Sequence, residues 1–286
     1  MMDRSYRDET YYKVFTEMYN MIEYQARMML LDDEVPPLAE EVPPCQRMKI
    51  ILDMPALSKD AVDAKGWNED DKSPNMTIYS EKLLCARNTN DETTDCIRSL
   101  VGFTNGLHCW EIRWPQKQRT PFPIIGVATK EAPLHIEGRA PVVGANPHSW
   151  GIDIDTNTAY HNGESWRYPV LRDPDDEFTF PESIMLLLDM DEGTLSYVAN
   201  NKNLGVAFTG LNNKTIYPII NMANYYGVGV IRYVGSLPKG PPSLKLLARA
   251  AIRNAIGFMN IVEDSKELNL PENLETYVSR PGLTYP

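Results

Sequence analysis

Residues 184–199 read IMLLLDMDEGTLSYVA, two apolar runs separated by a short polar segment. Ile184–Met190 and Thr194–Ala199 are rich in aliphatic, branched and aromatic side chains and have the length of β-strands. Between them, Asp191-Glu192-Gly193 has turn chemistry, because Asp bonds nearby backbone donors and Gly accepts a positive φ. The stretch therefore predicts an antiparallel hairpin.

Similar short runs recur on both sides of this hairpin, separated by clusters of Gly, Asn, Asp and Pro. They are Leu107–Trp114, Pro123–Ala128, Ser149–Ile154, Tyr217–Met222 and Gly227–Tyr233. In the first of them, Trp110 and Ile112 alternate with polar neighbours, which is typical of a half-buried strand. Many short strands without intervening helices predict an antiparallel β-sandwich from about Arg47 to Val234.

The two ends of the chain have a helical period instead. Residues 6–31 place Tyr11, Phe15, Met18, Ile22 and Met29 at helical spacing, and an acidic, proline-bearing linker covers residues 32–44. We therefore divide the chain into an N-terminal helix and linker (1–46), a sandwich (47–236) and a helical tail (237–286).

The helical tail is amphipathic between residues 243 and 256. Lys245, Arg249 and Arg253 form a basic face, and the opposite face is an apolar stripe of Leu244, Leu247, Ala248, Ala251, Ile252, Ala255 and Ile256. Such a stripe either packs on its own domain or binds a partner. The segment Leu268-Asn269-Leu270-Pro271 that follows it favours a partner.

Composition limits the classes of function. The chain has 286 residues and a formal net charge of −11, which argues against binding nucleic acid or an anionic membrane. We expect no signal sequence and no membrane span, and hence a cytoplasmic or nuclear location. The cysteines, Cys45, Cys85, Cys96 and Cys109, have no metal or disulfide-framework spacing and predict free thiols.

Four blocks in the β region resemble the SPRY domain. They are residues 106–112 (GLHCWEI), 125–129 (IGVAT), 149–153 (SWGID) and 188–196 (LDMDEGTLS). Further segments and the tail resemble the SPRY domain- and SOCS box-containing proteins, the Gustavus-like group, from about residue 48 to 278. These segments include Gly66-Trp67-Asn68, Asp71-Lys72-Ser73-Pro74-Asn75, Thr94-Asp95, Gln118-Arg119 and Ala132-Pro133-Leu134-His135.

The resemblance implies a SPRY-type antiparallel β-sandwich with a C-terminal helical SOCS box. In that family the sandwich holds a target protein by a short linear peptide, and the SOCS box recruits elongin B/C and a cullin-RING scaffold, so that the target is ubiquitinated and degraded by the proteasome. The residues that match the elongin-binding helix are Leu244, Leu247, Ala248 and Ile252, and those that match the cullin-selecting Leu-Pro-x-Pro segment are Leu268, Leu270 and Pro271.

The tail departs from the family at two positions, since Ala248 replaces a Cys and Asn269 replaces the first Pro. The chain is thus expected to be a non-catalytic ubiquitin-ligase adaptor. The alternative is a SPRY interaction module whose degenerate SOCS box no longer recruits a ligase.

The peptide site implied by the resemblance has changed further. Its positions are Arg87, Thr89, Thr120, Arg139, Val142, Ala145, Ala223, Asn224 and Tyr225, and the family's binding tryptophan is missing from the last three. We therefore do not transfer the family's acidic, Asn-rich peptide. Arg87, Arg119 and Arg139 instead predict a basic patch for an acidic or phosphorylated motif.

Other classes of function have weaker support. The histidines are scattered, and Asp153, Asp155, Asp189 and Asp191 fall at strand ends and turns, where Asp accepts backbone hydrogen bonds. We expect neither catalysis nor a metal or other cofactor. A sugar-binding surface would use exposed aromatics such as Trp166, Tyr225 and Tyr226, which serve protein interfaces equally well.

Overall fold

The computed structural model describes residues 35–40, 45–79, 82–119, 121–223, 227–256 and 261–279. The chain divides into two compact units, residues 1–35 with residue 286, and residues 36–285. The predicted N-terminal helix over residues 6–31 lies outside the described residues. Of the predicted linker, residues 36–40 are an extended arm in which Leu38 is buried and bridges Leu171.

The described residues form fifteen strands, one 3-10 helix and five α-helices. Two helices come first, α1 (Gln46–Leu52) and α2 (Lys59–Asp63). The strands are β1 (Trp67–Lys72), β2 (Met76–Tyr79), β3 (Leu84–Arg87), β4 (Thr93–Ser99), β5 (Leu107–Arg113), β6 (Ile124–Ala128), β7 (His135–Glu137), β8 (Ser149–Asp153), β9 (Thr158–His161), β10 (Glu164–Arg167), β11 (Ser183–Asp189), β12 (Thr194–Ala199), β13 (Lys202–Phe208), β14 (Tyr217–Met222) and β15 (Val228–Leu237). The 3-10 helix is Gln116–Gln118, and the tail forms α3 (Leu244–Ile256), α4 (Ile261–Glu267) and α5 (Glu272–Ser279).

These strands pair antiparallel in two sheets, as the sequence predicts. One sheet has the order β1-β4-β14-β6-β8-β9-β10, with β7 also paired to β4, and the other has the order β13-β12-β11-β5-β15-β3-β2. The predicted hairpin is β11–β12, and Gly193 in its turn has φ +69°. This positive φ is what favours glycine in the turn, since a Cβ there would meet only the exposed side chain of Asn212.

Two expectations about the sandwich are wrong. Strands do not start near Arg47, because α1 and α2 precede β1. Strand β5 is not half-buried either, since Cys109 and Glu111 are buried along with Trp110 and Ile112. The reason is a second apolar layer on the outer face of this sheet.

That outer layer joins the sheet to the helices. Cys109, Leu187 and Val234 of the sheet form one cluster with Met48 and Ile51 of α1. Leu246, Leu247 and Ala250 of α3 pack against the same cluster. Because period-2 alternation turns Trp110 and Ile112 to the opposite face, β5 is covered on both sides.

The prediction of free thiols is confirmed, since none of the four cysteines is in a disulfide bond. Burial raises the pKa of the Cys85, Cys96 and Cys109 thiols above its usual range. These three thiols therefore behave as small apolar core groups rather than as nucleophiles.

Candidate functional site

Arg87, the first residue of the predicted peptide site, lies at the end of β3 and is completely buried. Its Nε donates to Asp95 Oδ2 at 2.6 Å, and its Nη1 donates to the Thr89 carbonyl at 2.9 Å. Its Nη2 donates to the carbonyls of Asp91 at 2.6 Å and Thr93 at 3.0 Å. Arg87 therefore supports the β3–β4 loop from beneath and does not face a ligand.

Asp95 on β4 is the anion that holds this arrangement together. Its carboxylate accepts hydrogen bonds from Ser73 Oγ at 2.5 Å and from His135 Nδ1 at 2.8 Å, in addition to Arg87. Burial alone would raise the pKa of Asp95, but the hydrogen bonds from Ser73, His135, Arg87 and Thr93 lower it below its usual range. The carboxylate thus stays ionised with no exposed surface.

Asn221 on β14 hydrogen-bonds further loops in the same region, and it is not among the residues predicted from the sequence. Its Oδ1 accepts the backbone N–H of Val142 at 2.9 Å, and its Nδ2 donates to the Phe122 carbonyl at 2.8 Å. The available signal was an amide inside the apolar run Tyr217–Met222, because a buried polar side chain must be hydrogen-bonded.

The loops after β3, β7 and β14 therefore meet at one region of the fold. Gly138 donates its N–H to the Glu92 carbonyl at 2.7 Å, and Arg87 donates its N–H to the Gly227 carbonyl at 3.0 Å. Val142 is fixed beside β14 through Asn221. We call this region, residues 88–92, 137–145, 223 and 227, the loop face.

The predicted peptide residues are distributed unevenly over the loop face. Arg87, Val142 and Ala223 are buried beneath it, Thr89 is half-buried, and Arg139 and Ala145 are exposed. Thr120, Asn224 and Tyr225 lie outside the described residues. Of the six described positions, three are thus buried and support the loops, while Thr89, Arg139 and Ala145 reach the surface.

The predicted basic patch of Arg87, Arg119 and Arg139 is wrong. Arg119 is 2% exposed and donates to the carbonyls of Trp114 at 2.8 Å and Phe180 at 2.5 Å. Burial lowers its pKa to about 10. Arg139 alone of the three reaches solvent, because backbone carbonyls hold the other two guanidinium groups inside the fold.

The second candidate surface is on the tail, where α3 attaches through its arginines. Arg249 and Arg253 are 2% and 1% exposed. Arg253 Nε donates to Asp53 Oδ1 at 2.7 Å, and Arg249 Nε donates to the Asp53 carbonyl at 3.2 Å. Both arginines also bond the Val278 carbonyl of α5, at 2.7 Å and 2.9 Å. The expectation that these arginines form a separate, basic face of the tail helix is therefore wrong.

The attachment leaves part of the apolar stripe uncovered. Leu244 is 84% exposed, and Ala248, Ala251 and Ala255 are exposed along the same side of α3. Leu247 and Ile252 are half-buried. We call Leu244, Ala248, Ala251 and Ala255 the outer stripe.

The predicted cullin segment follows α4. Leu268 is 40% exposed, Leu270 is half-buried and Pro271 is exposed. Asn269 has φ +50°, and its N–H donates to the Lys266 carbonyl at 3.3 Å. A proline fixes φ near −65° and has no N–H, so the first proline of the family motif does not fit this conformation.

Of the carboxylates considered for catalysis, Asp153 and Asp189 accept local backbone hydrogen bonds, and Asp189 and Asp191 form ion pairs with Arg47. Asp153 Oδ1 accepts the N–H of Asp155 at 2.9 Å, and Asp189 Oδ1 accepts that of Asp191 at 3.0 Å. Within the described ranges, no group of three His, Cys, Asp or Glu residues is placed to hold a metal ion. No helix among the same residues has the length and apolar character needed to cross a membrane.

Comparison with known proteins gives one consistent answer. The SPRY domain family model matches residues 107–234. The chain is 40% identical to "Protein gustavus" of Drosophila melanogaster over 81% of this chain and 85% of that protein. It is 39% identical to "SPRY domain-containing SOCS box protein 1" of Homo sapiens, over 81% of this chain and 86% of that one. It is 34% identical to "SPRY domain-containing SOCS box protein 2" of Rattus norvegicus, over 84% of this chain and 92% of that one. The chain therefore belongs to the family of SPRY domain-containing SOCS box proteins.

Proposed function

We propose that this protein is a substrate-recognition adaptor of an elongin B/C–cullin-RING ubiquitin ligase. The loop face captures a short segment of a target protein, and the tail recruits the ligase. The observation that carries the proposal is the orientation of α3, whose buried arginines attach it to its own domain while the outer stripe stays exposed. An exposed apolar helix face is what a helix-in-groove partner requires.

The adaptor contributes proximity rather than chemistry. Holding the target near activated ubiquitin raises the effective concentration of the target's lysine. No catalytic group of this chain is needed for that. Loss of the family's Cys at Ala248 removes a contact of roughly 1 kcal/mol by analogy with core truncations, while the larger Leu244 remains.

Co-expression with elongins B and C followed by size-exclusion chromatography tests the proposal. Leu244→Asp and Ala248→Asp are the informative variants, because both positions are exposed and neither change disturbs the attachment of α3. Lys266→Asp, an exposed change on α4, is the matched control. We expect a complex with wild type and control that both outer-stripe variants lose. Absence of a complex with the wild type would refute elongin recruitment.

A second candidate is a SPRY interaction module that does not recruit the cullin scaffold. It is favoured by the φ of +50° at Asn269, which the family's proline cannot adopt. Adding a cullin-RING scaffold to the elongin complex separates the two candidates. A ternary complex that Leu268→Asp disrupts supports the ligase adaptor, and an elongin complex that excludes the scaffold supports the module.

A further inference from the structure

The rim of the loop face carries the opposite charge from the one that the sequence suggests. We define the loop rim as residues 88–92 and 137–140. Its charged residues are Asp91, Glu92, Glu137 and Arg139, all of them exposed. Three carboxylates against one guanidinium give the rim a net charge of −2.

These charges act on the same small area. Thr93 and Glu137 are paired residues of β4 and β7, and Gly138 bonds the Glu92 carbonyl at 2.7 Å. Paired residues of adjacent strands lie about 5 Å apart, well within the screening length of roughly 8 Å at physiological salt. A ligand charge near any one of them therefore senses all of them.

Two cationic groups lie against the rim, and both already face a carboxylate. His135 Nε2 lies 3.6 Å from Glu137 Oε1, and its Nδ1 donates to Asp95 at 2.8 Å. Arg87 is ion-paired to Asp95 at 2.6 Å and completely buried, and its remaining donors bond carbonyls of the loop. It is therefore unable to reach a ligand carboxylate or phosphate without unfolding the loop that it supports. An acidic or phosphorylated segment would meet exposed carboxylates with Arg139 as its one cation on the described rim.

Between the carboxylates the backbone is open to approach. Gly138 has φ +85°, and a Cβ built there has nothing within 4 Å. Glu137 beside it is 90% exposed. A long lysine or arginine side chain could lie along this bare backbone and reach the Glu92 and Glu137 carboxylates.

We propose that the loop face selects a target segment with a net positive charge, containing a lysine or arginine that contacts the carboxylates of the loop rim. This rests on the proposed function, since it names the kind of peptide that the adaptor captures. It reverses the acidic or phosphorylated ligand suggested by the three arginines.

A library of random ten-residue peptides displayed on phage is the probe, selected against the full chain bound to elongins B and C or, if no such complex forms, against the full chain alone. Enriched peptides are then synthesised and their affinities measured by fluorescence anisotropy at low and high salt. The variants are the Glu92→Lys/Glu137→Lys pair and Arg139→Glu, with Glu272→Lys on α5 as the control for net charge. Unfolding curves confirm that each variant folds.

We expect enriched peptides with net positive charge, whose affinity falls with salt and falls roughly tenfold in the Glu92→Lys/Glu137→Lys variant. Arg139→Glu strengthens their binding, and Glu272→Lys leaves it unchanged. Enriched peptides that are acidic and lose affinity with Arg139→Glu would overturn the charge preference and leave peptide capture standing. No enrichment against the wild type would overturn peptide capture itself, and this inference with it.

Discussion

Single buried polar side chains hold the loop face in place. Asn221 bonds Val142 and Phe122 from a strand in which its neighbours are apolar. Asp95 bonds Ser73, Arg87 and His135 from the adjacent strand. Asn221 satisfies backbone groups of the loops, and Asp95 satisfies side-chain donors beneath them, so replacing either one leaves buried donors without partners.

Changing Asn221 to Asp tests this at the level of one atom. The variant keeps an oxygen for the Val142 N–H but turns another oxygen toward the Phe122 carbonyl, where Nδ2 now donates. We expect the free energy of unfolding to fall by about 1–3 kcal/mol in urea denaturation. Asn254→Asp, at an exposed position of α3, should change it by less than about 0.5 kcal/mol. Equal effects at both positions would contradict the role of Asn221.

The ion pair between His135 and Asp95 makes the free energy of unfolding depend on pH. The hydrogen bond to Asp95 raises the pKa of the imidazole above its usual value of 6.5. A raised pKa means that the stabilisation is fully present below the unfolded value and is lost as pH rises through the folded value. The stability difference between wild type and His135→Gln should thus shrink as pH rises from well below 6.5 to well above it. The side chain is 36% exposed, so the effect is small. A difference that is constant across this window would show that the imidazole charge does not matter.

Asn269 tests the conformation of the predicted cullin segment. With φ +50° and an N–H bonded to Lys266, this residue ends α4 as a left-handed cap. Asn269→Pro should destabilise the tail by roughly 1–3 kcal/mol, whereas Asn269→Gly should be almost neutral because glycine adopts this φ freely. Hydrogen exchange of the α4 amides measures the stability of the tail in both variants. A proline variant as well protected as the glycine variant would contradict the cap.

At the scale of the elements, one side of α3 packs on its own domain and the other side is exposed to solvent. Arg249 and Arg253 attach it to Asp53 and α5, and Leu246 and Leu247 pack on the outer layer. The outer stripe on the other side is free for a partner. Because two buried arginines and two leucines suffice to attach the helix, its outer stripe remains exposed.

Asp53→Ala should loosen this helix. The change leaves two buried guanidinium groups without their anion, which costs about 3 kcal/mol when a buried pair is broken. Burial raises the pKa of Asp53, and the adjacent Arg253 and Arg249 oppose that rise. We expect faster hydrogen exchange across α3 and a lower free energy of unfolding. Asp63→Ala, which removes an ion pair to Lys59 at 4.0 Å, is the control and should cost at most about 0.5 kcal/mol. If α3 exchanges at the wild-type rate in Asp53→Ala, the carboxylate does not attach the helix.

At the scale of the whole molecule, residues 36–285 form one compact unit, so the tail and the sandwich should unfold together. Fluorescence of the buried Trp67, Trp110 and Trp114 reports the sandwich, and circular dichroism at the helical minimum reports the helices. We expect coincident transitions for the wild type. A chain ending at residue 242 should be less stable and bind a hydrophobic dye, because the outer layer loses Leu246, Leu247 and Ala250. Two separate transitions in the full chain would mean that the tail is an independent element.

The sheet elements and the family can be predicted from the sequence alone. Period-2 runs separated by turn residues are local signals, and Gly193 takes the positive φ that its turn needs. Strands Thr194–Ala199 and Tyr217–Met222 are found with the predicted bounds. The amphipathic helix of the tail is likewise present, because its period depends only on neighbouring residues.

Which polar side chains are buried depends on contacts between distant parts of the chain. Arg87, Arg119, Arg249 and Arg253 were assigned to surfaces because an arginine is usually exposed, and all four are buried. Arg253 is neutralised by Asp53, which is 200 residues away in the chain. A guanidinium is buried only where an anion or carbonyl oxygens converge on it, and such convergence over long sequence distances leaves no local pattern. Because Arg87 and Arg119 are buried for this reason, the predicted basic patch does not form beside the acidic loop rim.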